Sequence, residues 1–271
     1  MHFGIEVVPF GPFSDPRLVA QVARTAEEAG WEAIALWDHL SFPSSGDPWV
    51  TLAAVAAATS RMKLITGVAP LPRYRPHLLA RTLTALDILS GGRVIFGTGL
   101  GVTWDLVPFG DPGDDRVRAA MTDEGLELLC RLWTGEQVTH RGAHYTVDGV
   151  AMTPTPVQRP RIPVWIGGDS RPALRRAARW DGWIIGVISE QRAIIKTPEE
   201  VAAQVAYIRE HRAPDAGPFD VAVDGTSEIG DDGETARAYE RAGATWWLEC
   251  IYGSRGPVEA QLERLAAGPP S

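Results

Sequence analysis

The chain has 271 residues, 45% of them hydrophobic, and a formal net charge of −8 from 34 acidic and 26 basic side chains. That length buries a large core in a single domain over residues 1–271 and is short for two full domains. No basic run is long enough to follow a phosphate backbone, so nucleic acid is excluded as an expected partner and a small molecule is favoured.

The first element is the apolar run Phe3 to Val8, which opens without a basic region ahead of a cleavable segment. No run approaches the roughly 18 apolar residues of a membrane span, so no membrane association and a cytoplasmic location are expected. Ser14-Asp15-Pro16 starts a helix carrying Leu18, Val22 and Ala26, and Gly30 stops it. The second run, Glu32 to Trp37, ends in Trp37-Asp38-His39, and the third, Lys63 to Val68, passes through Thr66-Gly67. A helix with Leu79, Leu83 and Leu86 leads to the fourth run, Arg93 to Gly97, which ends in "GTGLG", Gly97 to Gly101. Gly101 to Asp115 is an irregular stretch rich in Gly, Pro and Asp, placed to cover the ends of the strands.

A helix with Leu126, Leu129, Cys130 and Trp133 precedes the one segment that breaks the alternation. Residues 138–161 combine turn signals at Gly142 and Asp148-Gly149 with three prolines, which predicts a β-hairpin and an extended strap inserted before the fifth strand. The fifth run, Ile162 to Gly167, gives way through Gly167-Gly168-Asp169-Ser170 to a helix with Leu174, Ala177 and Ala178. Trp183 to Ile188, Phe219 to Val223 and Thr245 to Ile251 complete eight short apolar runs, with Thr197-Pro198-Glu199-Glu200 starting one of the helices between them. Eight strand–helix units predict an α/β fold, a closed (β/α)8 TIM-type barrel, with an open doubly wound sheet as the alternative. Cys130 and Cys250 sit far apart inside apolar segments, match no metal-ligand spacing, and read as buried free thiols.

In such a barrel the site forms where strands end. Glycines there let a backbone approach a ligand, and the free amides at a helix start accept an anion. Gly167 and Gly168, with the Ser170 hydroxyl, therefore read either as a phosphate cradle or as a turn capped by Asp169 or Ser170. An inward Asp169 would oppose a phosphate. Asp38 and His39 read either as a carboxylate and imidazole that hold a polar ring edge or move a proton, or as a cap and a packed ring. Trp37 and Trp104 stand where they would wall a flat ligand, or fill core. No nucleophile elbow, His-Glu-x-x-His helix or P-loop occurs, which argues against hydrolase, zinc protease and nucleotide-triphosphatase chemistry.

Taken together, "AEEAGWEAIALWDHL", "LDILSGGRVIFGTGLG", "DEGLELLCRLWTGE" and "PVQRPRIPVWIGGDSRPALRRAARWDGWI", in that order, resemble the bacterial luciferase-like family of flavin- or deazaflavin-dependent oxidoreductases. The resemblance implies FMN or coenzyme F420 over the carboxyl ends of the strands, with Asp38 and His39 beside its ring. It implies Gly167, Gly168, Asp169 and Ser170 around its phosphate, with Gly99 and Gly101 also in the cofactor site. Thr66-Gly67 matches the place of a non-proline cis peptide behind the ring in relatives. Two departures stand out. Val102 replaces a glutamate found in some deazaflavin-dependent sugar phosphate dehydrogenases, and Leu100 or a neighbouring glycine replaces the arginine that meets the flavin phosphate in bacterial luciferase. Phosphate charge would then fall to amides, to Arg73 or Arg171, or to a second copy of the chain in a homodimer.

The function expected on this basis is a monooxygenase that uses reduced FMN, supplied by a separate flavin reductase, and oxygen on a small organic substrate. Hydride transfer with coenzyme F420 is the alternative within the enzyme class, and a flavin-binding protein without turnover is the alternative outside it.

Overall fold

A computed structural model describes residues 1–189, 191 and 193–270. In chain order the strands are β1 (His2–Val7), β2 (Ala33–Leu36), β3 (Lys63–Thr66), β4 (Ala69–Pro70), β5 (Val94–Gly99), β6 (Gln137–Arg141), β7 (Thr146–Ala151), β8 (Val164–Gly167), β9 (Gly182–Ile185), β10 (Asp220–Gly225) and β11 (Trp246–Ile251). The helices are α1 (Pro16–Glu28), α2 (Pro48–Ala58), α3 (Pro76–Ser90), α4 (Thr103–Leu106), α5 (Asp115–Leu132), α6 (Arg171–Ala177), α7 (Pro198–Glu210), α8 (Glu234–Arg241) and α9 (Val258–Ala266).

All pairings in the main sheet are parallel, in the order β3-β2-β1-β11-β10-β9-β8-β5. Leu64 opposite Val94 and Ile65 opposite Ile95 join β3 to β5 and close the ring. Among the described residues each of these eight strands has a partner on both sides, which decides between the two expected topologies in favour of the TIM-type barrel.

Local chemistry starts the helices where the sequence predicts. Proline fills the first position of α1, α2, α3 and α7, where its missing N–H is not needed. Asp15 and Asp47 cap α1 and α2, and Thr197 with Glu200 forms a capping box on α7.

Two apolar layers follow from the strand period of two. Outward residues such as Ile5, Ile34, Leu64, Phe96 and Ile166 pack under the helices. Inward residues Ala33, Ala35, Ile65, Ile95, Trp165, Ile184, Ala222, Trp246 and Leu248 fill the barrel itself.

The predicted insertion is the antiparallel hairpin β6–β7. Glu124 of α5 ties it down, accepting from His140 Nε2 at 2.9 Å and from the amides of His144 and Tyr145 at 3.0 and 2.8 Å. No helix among the described residues is long and apolar enough to cross a membrane.

Candidate active site

The carboxyl ends of the strands surround a cleft of about 510 Å3, a size suited to a cofactor or drug-sized ligand. Of the residues named from sequence, Trp37, Asp38, His39, Gly67, Gly99, Gly101, Gly167, Gly168, Asp169 and Ser170 all line it. Thr66 and Trp104 do not. Thr66 is buried behind the wall and donates its hydroxyl to the Gly97 carbonyl at 2.7 Å, which locks β3 against β5. Trp104 is half exposed and stacks on His39, with ring centres 5.3 Å apart and planes 12° from parallel.

Val68 rises between two glycines. A Cβ at Gly99 would come to 3.2 Å from Val68 Cγ2, and one at Gly167 to 3.0 Å from Val68 Cγ1. Larger residues at either position would push this side chain into the cleft. The non-proline cis peptide is Gly67–Val68, one residue beyond the expected Thr66-Gly67.

The Gly-Gly turn is both a corner and a wall. Gly168 has φ +102°, a conformation that favours glycine, and its carbonyl accepts from the Trp183 indole at 2.8 Å. Ser170 caps α6 by accepting from the Ala173 amide at 3.4 Å. The Asp169 side chain is turned outward enough to be 56% exposed and pairs with Lys196 Nζ at 3.1 Å. The sequence reading passed over Lys196, which brings a positive charge beside the turn. It lies in an irregular stretch with no motif to mark it.

Asp38 and His39 belong to a larger polar cluster. Asp38 is buried and accepts from Arg73 Nη1 at 2.9 Å and from the Tyr74 hydroxyl at 2.6 Å, and that hydroxyl in turn accepts from the Trp49 indole at 3.0 Å. Arg73 reaches with Nη2 to Asp105 Oδ2 at 2.5 Å. Asp105, on α4, also accepts from the amides of Leu40 and Ser41 at 2.9 and 2.6 Å and lies 3.0 Å from His39 Nδ1.

The two acids that share Arg73 shift in opposite directions. Burial pushes the Asp38 carboxyl up despite the Tyr74 hydroxyl and the Arg73 charge. Burial also acts on Asp105, but the Ser41 amide, the Arg73 guanidinium and the Leu40 amide together outweigh it and hold that carboxyl below its ordinary range. An ionised Asp105 can only accept, so His39 Nδ1 is the donor between them.

These bonds also settle the fate of two cations considered from sequence. Arg73 is committed to Asp38 and Asp105, and the Arg171 guanidinium lies over the Tyr207 ring at 5.5 Å. The cleft lining contains no lysine or arginine among the described residues, so an anionic group inside it would meet backbone amides.

Sequence reading also missed two inward-facing acids, Glu6 on β1 and Asp224 on β10, both buried beside the Cys250 thiol of β11, which is free and buried as expected. Their signal was available, since a charge inside a buried parallel strand breaks an otherwise apolar run. Glu6 and Asp224 line the cleft. Asp224 and Cys250 also line a second cavity of about 290 Å3, walled by Val8, Phe10, Trp37, Phe42 and Ile188. Trp37 and Asp224 therefore stand in the partition between a larger glycine-lined cleft and a smaller apolar chamber.

No residue of the 138–161 insertion lines either cavity. Its hairpin is held on the outer helix α5 instead.

Comparison with known proteins agrees with this geometry. Residues 5–267 match the family described as luciferase-like monooxygenase. The F420-dependent glucose-6-phosphate dehydrogenase of Nakamurella multipartita is 34% identical over 180 residues, 62% of this chain and 52% of that protein, so the match spans about half of its length. The F420-dependent hydroxymycolic acid dehydrogenase of Mycobacterium tuberculosis is 29% identical over 266 residues, covering 95% of this chain and 70% of the relative. The coenzyme F420 dependent tetrahydromethanopterin reductase of Methanopyrus kandleri shares the fold, with a TM-score of 0.81 at 18% identity over 98% of this chain and 97% of the other. The chain belongs to the luciferase-like monooxygenase family, a family of oxidoreductases.

Proposed function

We propose that the protein is a coenzyme F420-dependent oxidoreductase that holds the deazaflavin in the glycine-lined cleft and a small organic substrate in the adjoining chamber. The observation that carries this reading is the partition: one cofactor-sized cavity and one small apolar cavity share Trp37 and Asp224 at the carboxyl ends of the strands. The choice of F420 is supported by two sequence relatives that carry it in their names. When bound, the deazaflavin supplies two-electron hydride transfer.

The chain's own residues do the rest. Gly99, Gly101, Gly167 and Gly168 keep the wall low enough for a flat ring, and the Gly167–Ser170 turn, with Lys196 beside it, meets a phosphate. His39, fixed by Asp105, presents Nε2 as an acceptor for a polar ring edge. Val102 lines the cleft where some sugar phosphate dehydrogenases of the family carry a glutamate, which directs the proposal away from a sugar phosphate substrate.

Reduced FMN with oxygen, supplied by a separate reductase, is the second reading, supported by the description of the matching family. Fluorescence titration with F420 and with FMN separates the two. Binding of F420 in preference to FMN is expected. Preference for reduced FMN, with oxygen uptake in the presence of a flavin reductase, transfers the assignment to the monooxygenase, and binding of neither overturns both.

A further inference from the structure

Glu6 and Asp224 face each other inside the barrel, from β1 and β10. A carboxylate oxygen of each lies within 4.8 Å of the other and of the Cys250 sulfur. The thiol is 3.6 Å from Glu6 Oε2. The Trp37 indole also hydrogen bonds Glu6. Asp224 Oδ1 accepts from the amides of Val187 and Ile188 at 2.5 and 3.3 Å. Among the described residues no lysine, arginine or histidine is bonded to either acid. The polar cluster of Asp38, Arg73, Asp105 and His39 makes its own closed set of contacts.

Burial of two carboxyls this close disfavours a charge on both, which favours a form with one proton between them. Burial first, and then the Asp224 charge, pushes Glu6 up to about 8. Burial also raises Asp224, less far because the Val187 and Ile188 amides favour its ionised form.

A single shared proton makes the pair both a donor and an acceptor. That matches a pair of ligands that differ in the same way, since a ketone oxygen only accepts whereas an alcohol oxygen also donates. The chamber around Asp224 adds two requirements. Its volume of about 290 Å3 suits a small molecule, and its walls of Val8, Phe10, Phe42 and Ile188, with no lysine or arginine among the described lining residues, suit an uncharged, mostly apolar one.

We propose that Asp224, sharing one proton with Glu6, is the specificity-determining group of the chamber and binds the oxygen of a small uncharged alcohol or its ketone. This assignment names the substrate class for the oxidoreductase reading and rests on it for catalytic meaning, but its binding chemistry does not require the cofactor.

The test uses the full chain without cofactor and two probes, cyclohexanol and cyclohexanone, titrated by ligand-observed NMR well below and well above pH 8. Both probes bind at the lower pH. At the higher pH the pair has lost its proton, so cyclohexanone weakens at least tenfold and cyclohexanol does not. Asp224→Asn, whose amide donates and accepts at every pH, abolishes the step, and Glu6→Gln leaves cyclohexanone weak at both pH values. Asp224→Leu loses at least tenfold for both probes. If that variant does not fold, as judged by circular dichroism, the Asn and Gln variants decide. Equal cyclohexanone affinity on both sides of pH 8 in the native chain, or a step that persists in Asp224→Asn, overturns the proposal. F420 titration is scored separately. F420 binding without the pH step removes the acid pair and keeps the F420 assignment, whereas the step without F420 binding keeps the pair and removes that assignment.

Discussion

Glu6 is a residue whose burial works against the fold. Its carboxyl moves from an ordinary value of 4.5 to about 8 in the folded protein, so between those values the unfolded chain has released a proton that the native chain still holds. Stability therefore falls as pH rises through that window, at up to about 1.4 kcal/mol per unit, and is unaffected by this group below it. Glu6→Gln removes the titration, and its melting temperature relative to the native chain should be higher at pH 8 than at pH 5. A constant difference across that range would show that Glu6 ionises in the fold as it does in water. Asp105 acts in the opposite sense, because its lowered carboxyl adds stability at neutral pH that is lost as pH falls. It also fixes the His39 ring. Asp105→Asn leaves one accepting oxygen where the carboxylate has two, for donors that include Arg73, Leu40, Ser41 and His39, and should weaken F420 binding about tenfold, roughly the 1.4 kcal/mol of one hydrogen bond. His39→Ala should lose a similar amount, and the double variant no more than either. Additive losses in this cycle would show that Asp105 acts on the cofactor by another route.

At the scale of elements, the end of β3 and the middle of β5 meet closer than any side chain allows. A Cβ at Gly97 would sit 1.8 Å from the Thr66 carbonyl oxygen, so Gly97→Ala should destabilise the fold by roughly 3 kcal/mol or more. Denaturant unfolding that shifts by less than 1 kcal/mol would mean that the two strands can separate without cost. The stretch from Gly101 to Asp115, expected to cover the cleft, is an ordered piece of the wall. Asp105 pins α4 to the end of β2, and Arg118 of α5 holds Thr103 and the Pro112 carbonyl. Element existence was legible from sequence because buried parallel strands are short apolar runs and the helices carry proline and cap signals. Glycine positions at strand ends were legible for the same reason, since only a few places tolerate them. The partners of Asp38 and His39 were not. Arg73 and Asp105 are 32 positions apart in sequence, each sits in a loop-like context, and only closure of the barrel brings them within 2.5 Å. Glu6 and Asp224 were hidden by the opposite bias, because strand assignment reads the apolar run and passes over the one residue that interrupts it.

For the whole molecule, closure places the carboxyl ends of the barrel strands on one face and so gathers residues from β1 to β11 around the larger cavity. Glu6, Asp38, Asp105, Asp115, Asp169 and Asp224 all line the larger cavity there, with no lysine or arginine among its described walls, on a chain whose net charge is −8. F420 and FMN both carry phosphate, so the long-range field opposes their arrival even where short-range amides hold them once they are in place. Added salt, which shortens the screening length to about 8 Å at physiological strength, should then quicken cofactor association and leave escape nearly untouched. Stopped-flow mixing at rising potassium chloride would read this directly, and an association rate that slows with salt would reveal an attractive field at the mouth. On the proposed function, dilute buffer would slow loading of the phosphate-bearing cofactor through the larger cavity while leaving its escape nearly unchanged.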